Sequence, residues 1–109
     1  MKIAIVGSGN ITVSDIGKYI SNAEEIVSGG AVGVDSCVAK YAKENGISLT
    51  EFLPQYERYG RAAPIVRNKK IVAHSDKIIA FWDGKSKGTL SVIKYAQKTG
   101  KPCEIIICK

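Results

Sequence analysis

Three glycine-rich segments are the parts of this chain whose composition is best suited to holding a phosphate group. They are residues 7–10 (Gly-Ser-Gly-Asn), 29–35 (Gly-Gly-Ala-Val-Gly-Val-Asp) and 83–89 (Asp-Gly-Lys-Ser-Lys-Gly-Thr). Each follows an apolar run and precedes a helical pattern, so each is predicted to lead into a helix N-terminus, where free N–H groups and the helix dipole attract anions. A single such segment is explained equally well as a turn, but three at one edge of a sheet favour a phosphate-bearing ligand.

Arg67 and Asn68 are expected beside the same edge, in the first turns of a helix. Arginine can grip a phosphate through two hydrogen bonds, and asparagine can contact a base or a sugar. Arg67 could instead pair with Asp83 or Asp35 and hold the loops together. Asp35 is expected either to cap its helix or to accept hydrogen bonds from ribose hydroxyls. Trp82 could pack in the core or form a wall of a base site.

The predicted ligand-binding residues combine the glycine-rich segments with these polar side chains: Gly7, Ser8, Gly29, Gly30, Gly33, Asp35, Arg67, Asn68, Asp83, Ser86, Gly88 and Thr89. The candidates for a catalytic role, should the protein be an enzyme, are Asp35, Arg67 and Asp83. Thr12 stands where the dinucleotide fingerprint has its third glycine, and no acidic residue ends the second strand, which argues against a usual NAD site. The phosphate loop of nucleoside triphosphatases is also missing.

The three cysteines and the single histidine give little support to a metal site, because none of them falls in a zinc-ligand spacing. Cys37, Cys103 and Cys108 are interpreted as small buried hydrophobic residues in a reducing compartment. Cys103 and Cys108 lie five apart on a predicted strand and should point to opposite faces. His74 is interpreted as a helix-end residue. No metal and no cofactor other than a nucleotide ligand is expected.

Composition predicts one globular domain over residues 1–109, of 11.7 kDa with 45% hydrophobic and 24% charged residues. No apolar run approaches the length of about 20 residues that a bilayer span needs, and we expect a cytoplasmic protein. Charge is uneven: residues 1–54 carry four basic and six acidic groups, whereas residues 55–109 carry twelve basic and four acidic ones, a net of +8. The basic half suggests an anionic partner, either a nucleotide or, as the less favoured alternative, a nucleic acid.

Apolar runs of strand length alternate with helical patterns along the whole chain. The predicted strands are residues 3–6, 25–28, 49–53, 78–82 and 103–108. Helices are predicted from residues 13, 34, 64 and 90 onward, the first capped by Thr12 or Ser14 and the third having Pro64 in its first turn. This alternation implies a parallel sheet, and apolarity favours the order 3-2-1-4-5, with strand three at an edge. The predicted fold is therefore a three-layer α/β/α Rossmann-like sandwich whose ligand site lies at the carboxyl ends of its strands.

Residues 54–63 are predicted to form the longest loop. This segment interleaves aromatic and basic side chains, namely Tyr56, Arg58, Tyr59 and Arg61. Such a segment could close over a base by stacking, although an ordinary exposed loop is the favoured interpretation.

An ordered series of motifs resembles the SLOG superfamily, which joins the Smf/DprA DNA-processing proteins with the lysine-decarboxylase-like Lonely guy proteins. The series comprises residues 28–35 (Ser-Gly-Gly-Ala-x-Gly-x-Asp), 64–68 (Pro-Ile-x-Arg-Asn), Ser75-Asp76 and 86–89 (Ser-x-Gly-Thr), and covers nearly the whole chain. The resemblance is greatest to small stand-alone members that are predicted to bind or sense nucleotides. It implies a shared pocket at Gly7-Ser8, Gly29-Gly30, Asp35, Arg67-Asn68 and residues 86–89, and a homo-oligomer formed through helix faces.

The sequence departs from the Lonely guy enzymes, which hydrolyse nucleoside monophosphates, at one point that bears on catalysis. Those enzymes follow their Gly-Thr loop closely with glutamates, whereas here Gly88-Thr89 is followed by Leu90-Ser91-Val92. Glycosidic cleavage needs a nearby carboxylate to stabilise charge or activate water. Binding or sensing of a nucleotide-derived ligand is therefore the preferred hypothesis. The alternatives are a phosphoribohydrolase using Asp83 or Asp35, and a DprA-like module for single-stranded DNA.

Overall fold

A five-stranded, all-parallel sheet forms the middle layer of the molecule in a computed structural model that describes residues 1–7, 11, 13, 16–20, 23–29 and 34–108, without the side chains of 34–36. Its strands are β1 (Lys2–Gly7), β2 (Glu25–Ser28), β3 (Ser48–Glu51), β4 (Lys77–Trp82) and β5 (Cys103–Ile107). They are arranged in the order β3-β2-β1-β4-β5, so the predicted order and the edge position of β3 are confirmed.

Helices cover both faces of the sheet, which confirms the three-layer α/β/α prediction. They are α1 (Gly17–Ile20), α2 (Val34–Asn45), α3 (Tyr56–Tyr59), α4 (Ala63–His74) and α5 (Lys87–Lys98), with a 3₁₀ turn at Gly60–Ala62 between α3 and α4. Alternate residues of β1 divide the core: Ile3 and Ile5 pack on the α1 and α2 side, and Ala4 lies on the α4 and α5 side. This division follows from the two-residue period of a strand.

β1 is the middle strand of the sheet and β2 and β4 flank it, because these three strands are apolar on both faces. Four consecutive residues are buried in β1 and in β4, and Ala4 pairs with Ile78 and Val6 with Ala80. The outer strands bury less: no residue of β3 is fully buried, and none of β5 is. From β1 the chain adds β2 and β3 on one side of the sheet and then β4 and β5 on the other. The carboxyl ends of β1 and β4 therefore lie side by side at the topological switch point of the sheet.

The prediction of a loop over residues 54–63 is wrong, because most of that segment is helical. The N–H groups of Arg58 and Tyr59 both donate to the carbonyl of Gln55, and the 3₁₀ turn then leads directly into α4. No glycine or proline interrupts the chain between Pro54 and Gly60, so local backbone hydrogen bonds form there even though the side chains are mostly exposed.

Smaller differences concern the ends of elements. β3 ends at Glu51 rather than residue 53, and the N–H of Phe52 still donates to the carbonyl of Ser28. α5 begins at Lys87, three residues earlier than predicted, so Gly88 and Thr89 are helical rather than part of a loop. The described part of the first helix is the single turn of α1, and both proposed caps, Thr12 and Ser14, lie outside the described residues. In the part of the chain that is described, no helix is long and apolar enough to span a membrane.

Candidate functional site

A cavity of about 120 Å³ lies at the carboxyl edge of the sheet, between the ends of β1 and β2 and the helices α4 and α5. Seven of its lining residues belong to the set predicted from the sequence: Gly7, Gly29, Arg67, Asn68, Ser86, Gly88 and Thr89. Val6, Ile71 and Val92 form its apolar floor. Residues that are up to 86 positions apart in the chain therefore meet around one small space.

Arg67 provides the positive charge of this cavity and is held in place by two hydrogen bonds. Its Nε donates to Asn68 Oδ1 over 2.8 Å, and its Nη1 donates to the carbonyl of Gly29 over 3.2 Å. Asn68 is only 6% exposed, so a buried side chain fixes the orientation of the guanidinium. Among the described residues, the partners of Arg67 are thus an amide and a carbonyl, and the alternative pairing with Asp83 does not occur.

The N-terminus of α5 forms the wall opposite Arg67. Ser86 is the N-cap, and its Oγ accepts a hydrogen bond from the Thr89 N–H over 3.4 Å. Lys87 and Gly88 occupy the first two helical positions, where backbone N–H groups have no partner within the helix. A Cβ added at Gly88 would meet no atom within 4 Å, so this position opens into free space.

Asp83 and Trp82 support the segment that leads into α5. Asp83 Oδ1 accepts hydrogen bonds from the N–H groups of Lys85 and Ser86, each over 2.8 Å, and Gly84 turns the chain at a φ of +82°. The indole Nε1 of Trp82 donates to the Ser86 carbonyl over 3.0 Å, and its ring packs against the core. Neither Asp83 nor Trp82 lines the cavity. Trp82 therefore fits the core interpretation, and Asp83 shapes the loop.

Three predicted ligand-binding residues, Ser8, Gly30 and Gly33, lie outside the described residues, and so does the side chain of Asp35. The backbone of Asp35 belongs to the first turn of α2. No residue of the 54–63 segment lines the cavity. The described cavity is therefore formed without residues 54–63, for which stacking on a base was the less favoured of two interpretations.

The size and chemistry of the cavity suit a small anion. Its volume equals about four waters of bulk liquid, whereas pockets for drug-sized ligands have about 300–1,000 Å³. Its described lining contains one guanidinium, three hydroxyl or amide side chains and no carboxylate. A phosphoryl group would fit against Arg67 and the first turn of α5, and the remainder of a larger ligand would extend beyond these walls.

The single histidine lies at the opposite edge of the sheet, at the C-terminal end of α4 as predicted. His74 Nε2 is 2.6 Å from Glu25 Oε2, and its ring packs edge-on against Phe52. The hydrogen bond from His74 lowers the pKa of Glu25, and a second one involving Thr50 adds to this effect, while partial burial acts in the opposite direction. This pair links α4 to β2, so it has a structural explanation.

The cysteines follow the sequence interpretation only in part. Cys103 packs against the α4 and α5 side of the core and Cys108 against the opposite side, as their spacing predicts. All three cysteines are free thiols, but they are partly rather than fully buried. Desolvation raises the pKa of the Cys103 thiol, which favours its unreactive form. Within the described ranges, no three histidine, cysteine or acidic side chains cluster as metal ligands would.

A second, larger depression was not predicted from the sequence. It is a groove of about 580 Å³ between α4 and α5, on the outer surface of the helical layer. We call it the α4–α5 groove and define it by its nine lining residues: Ile65, Asn68, Lys69, Lys87, Leu90, Ser91, Lys94, Tyr95 and Lys98. The signal that could have revealed it is the recurrence of lysines at helical spacing beside Leu90 and Tyr95.

No protein-family model matches the chain. The chain is 35% identical over 83 residues to the Gene 61 protein of Mycobacterium phage D29. The match covers 71% of this chain and 66% of the phage protein, just under two thirds of that protein's length. The name of the phage protein describes no ligand or reaction.

Proposed function

We propose that this protein binds a nucleotide or another small phosphate-bearing molecule, with the phosphate in the cavity at the carboxyl edge of the sheet. The observation that carries the proposal is the position of Arg67, whose guanidinium is oriented by Asn68 and Gly29 in a cavity bounded by the N-terminus of α5. Backbone N–H groups and a fixed guanidinium are the two features that recur in phosphate sites. The ordered motifs that resemble the SLOG superfamily support the same assignment.

In this proposal the phosphate contacts Arg67 and the N-terminus of α5, and the cavity lining contains no residue that we assign to the base or the ribose. Asp83 is engaged by the N–H groups of its own turn, and residues 54–63 form α3 and a 3₁₀ turn away from the cavity lining. The alternatives are a phosphoribohydrolase, which would release free base, and a module for single-stranded DNA, which would bind oligonucleotides with a steep salt dependence.

The test compares nucleoside monophosphates with the corresponding nucleosides by isothermal titration calorimetry. We expect the monophosphates to bind and Arg67→Ala to weaken them by about 10- to 100-fold, because a hydrogen bond to a charged group contributes about 1.5–3 kcal/mol. The matched control is Arg61→Ala, which removes the same charge from an exposed position outside the cavity. Equal affinities for Arg67→Ala and Arg61→Ala would show that the site is wrongly assigned.

Gly88→Glu is a second variant, and it removes neither of the two residues, Asn68 and Gly29, that accept hydrogen bonds from Arg67. Position 88 is open and lies in the first turn of α5, where a glutamate is favourable for the helix itself. The added carboxylate should nevertheless repel a phosphate and abolish binding, at a melting temperature no lower than that of the wild type. Chromatography of the titrated mixtures would detect free base if the protein is a hydrolase. Binding of oligonucleotides with a steep salt dependence, and none of nucleotides, would favour the DNA-binding alternative.

A further inference from the structure

The α4–α5 groove combines an apolar floor with a rim of positive charge. Its floor includes Ile65, which is 52% exposed, together with the half-buried side chains of Leu90 and Tyr95. The four lysines of its lining belong to both helices: Lys69, Lys87, Lys94 and Lys98. No carboxylate contributes to the described lining, so these like charges face solvent beside apolar surface without a counter-charge in the groove.

We propose that the α4–α5 groove binds an amphipathic helix of a partner protein that presents apolar side chains flanked by carboxylates. Docking of a helix into a groove requires an apolar strip of several turns, and the twelve residues of α5 extend over about 18 Å. Three turns of a partner helix fit this length. Carboxylates on both sides of its apolar strip would neutralise the lysine rim, and the aliphatic floor would bury the strip.

Charge argues against a second copy of this chain as the occupant. In a symmetric dimer the same surface meets itself, so the four lysines of one groove would face four of the other. That arrangement is repulsive and offers no compensating carboxylate. The self-association expected from the sequence would therefore have to use another face.

The floor argues against a nucleic acid strand as the occupant. Single strands bind where bases stack on open aromatic rings beside a positively charged track. Tyr95 is the one aromatic residue of the groove lining, and Lys69 Nζ lies 5.7 Å from the centre of its ring. Leu90 and Ile65 offer aliphatic surface instead, which suits the apolar face of an amphipathic helix. The groove and the phosphate cavity share Asn68, but Lys94, Lys98 and Ile65 do not line the cavity, so variants at these three positions test the groove separately.

The experiment measures fluorescence anisotropy of labelled helical peptides of about 15 residues, a length that spans the groove. The peptides carry leucines on one face and glutamates beside them, in three registers, and matched peptides carry lysines in place of the glutamates. We expect at least one acidic peptide to bind and the basic peptides not to bind. Binding should weaken as the salt concentration rises from about 50 to about 500 mM, because exposed charges are screened.

Two variants and a control locate the binding surface. We expect the double variant Lys94→Glu/Lys98→Glu to weaken binding of the acidic peptide by about tenfold or more, since two attractive pairs become repulsive. Ile65→Ser should weaken it several-fold, and this exposed substitution should leave the fold intact. The matched control is Lys40→Glu/Lys43→Glu, a pair of exposed lysines on α2, across the sheet.

Four results would overturn the proposal. They are a lack of binding by every acidic peptide, equal binding of the basic peptides, equal affinity of the Lys94→Glu/Lys98→Glu variant and its control, and a dimer in analytical ultracentrifugation that Ile65→Ser dissociates. The last result would assign the groove to a second copy of the chain. Loss of oligonucleotide binding in the Lys94→Glu/Lys98→Glu variant, without any peptide binding, would assign it to a nucleic acid.

Discussion

At the scale of single residues, the candidate site depends on how Arg67 is oriented. A guanidinium has five N–H donors, so its bonds to Asn68 and Gly29 orient the group without exhausting its capacity to bind an anion. Lysine could not reproduce this arrangement, because an ammonium group on a flexible stem lacks the planar fork. The buried Asn68 therefore also supports a binding role for Arg67. A charged side chain that only keeps a helix soluble would need no buried hydrogen-bond partner.

The Glu25–His74 pair gives a prediction about the dependence of stability on pH. The pKa of Glu25 is lowered in the folded state from a usual value of 4.5, so the ionised carboxylate stabilises the fold above that value. This contribution is lost as the pH falls through the lowered folded-state pKa. We expect Glu25→Gln to melt below the wild type at pH 6, and the difference to shrink steadily towards pH 3.

Thermal unfolding followed by circular dichroism at several pH values checks this prediction. Glu57→Gln is the matched control, because it removes a carboxylate from the exposed surface of α3. Its melting temperature should follow that of the wild type at every pH. A difference between Glu25→Gln and the wild type that stays constant from pH 6 to pH 3 would contradict the linkage to Glu25.

At the scale of elements, the N-terminus of α5 combines helix capping with the proposed binding of phosphate. Ser86 caps the helix, and Asp83 and Trp82 hold the segment before it. We expect Ser86→Ala to lower the free energy of unfolding by about 0.5–1 kcal/mol, since the cap is lost. Ser86→Asp should retain that stability, because aspartate caps as well as serine does, but its charge should weaken phosphate binding.

Urea denaturation and calorimetric titration of the two variants separate these roles. Ser86→Ala should lose stability while keeping more of its phosphate affinity than Ser86→Asp. Parallel changes of stability and affinity in both variants would mean that Ser86 acts on the ligand only through the cap.

At the scale of the whole molecule, stability should depend on the centre of the sheet far more than on its β5 edge. Ile79 of β4 is 0% exposed, whereas Ile105 of the neighbouring β5 is 39% exposed. We expect Ile79→Ala to lower the free energy of unfolding by about 2–5 kcal/mol and Ile105→Ala to lower it by about 1 kcal/mol or less. Urea denaturation midpoints measure both, and similar losses would mean that the edge strand is covered in solution.

The strand order could be predicted because apolar content along a parallel strand reports directly on its place in the sheet. Ile78 to Phe81 read as a central strand and Leu49 to Leu53 as an edge, and both predictions are confirmed. The gathering of Gly7, Gly29, Arg67 and Ser86 followed from the same topology, since carboxyl ends of parallel strands share one edge.

Features that depend on local backbone hydrogen bonds, or on the spacing of two helices, could not be predicted in this way. The helical turns of residues 54–63 arise from local hydrogen bonds that leave no apolar periodicity, because their side chains are mostly exposed. The partners of Arg67 were also missed, since a backbone carbonyl at Gly29 carries no signal in the sequence. The α4–α5 groove depends on the spacing of two helices, which a pattern along one helix does not contain.

The central position of β1 has a consequence for the order in which the chain is made. β1 is synthesised before β4, which begins 75 residues later at Lys77, and the second edge of β1 is paired only after β4 has formed. Until then the nascent chain carries an apolar strand with one open edge, the feature that most readily recruits foreign strands. A chain truncated before residue 77 would therefore keep this edge of β1 open, and it should aggregate more readily than the chain that includes β4.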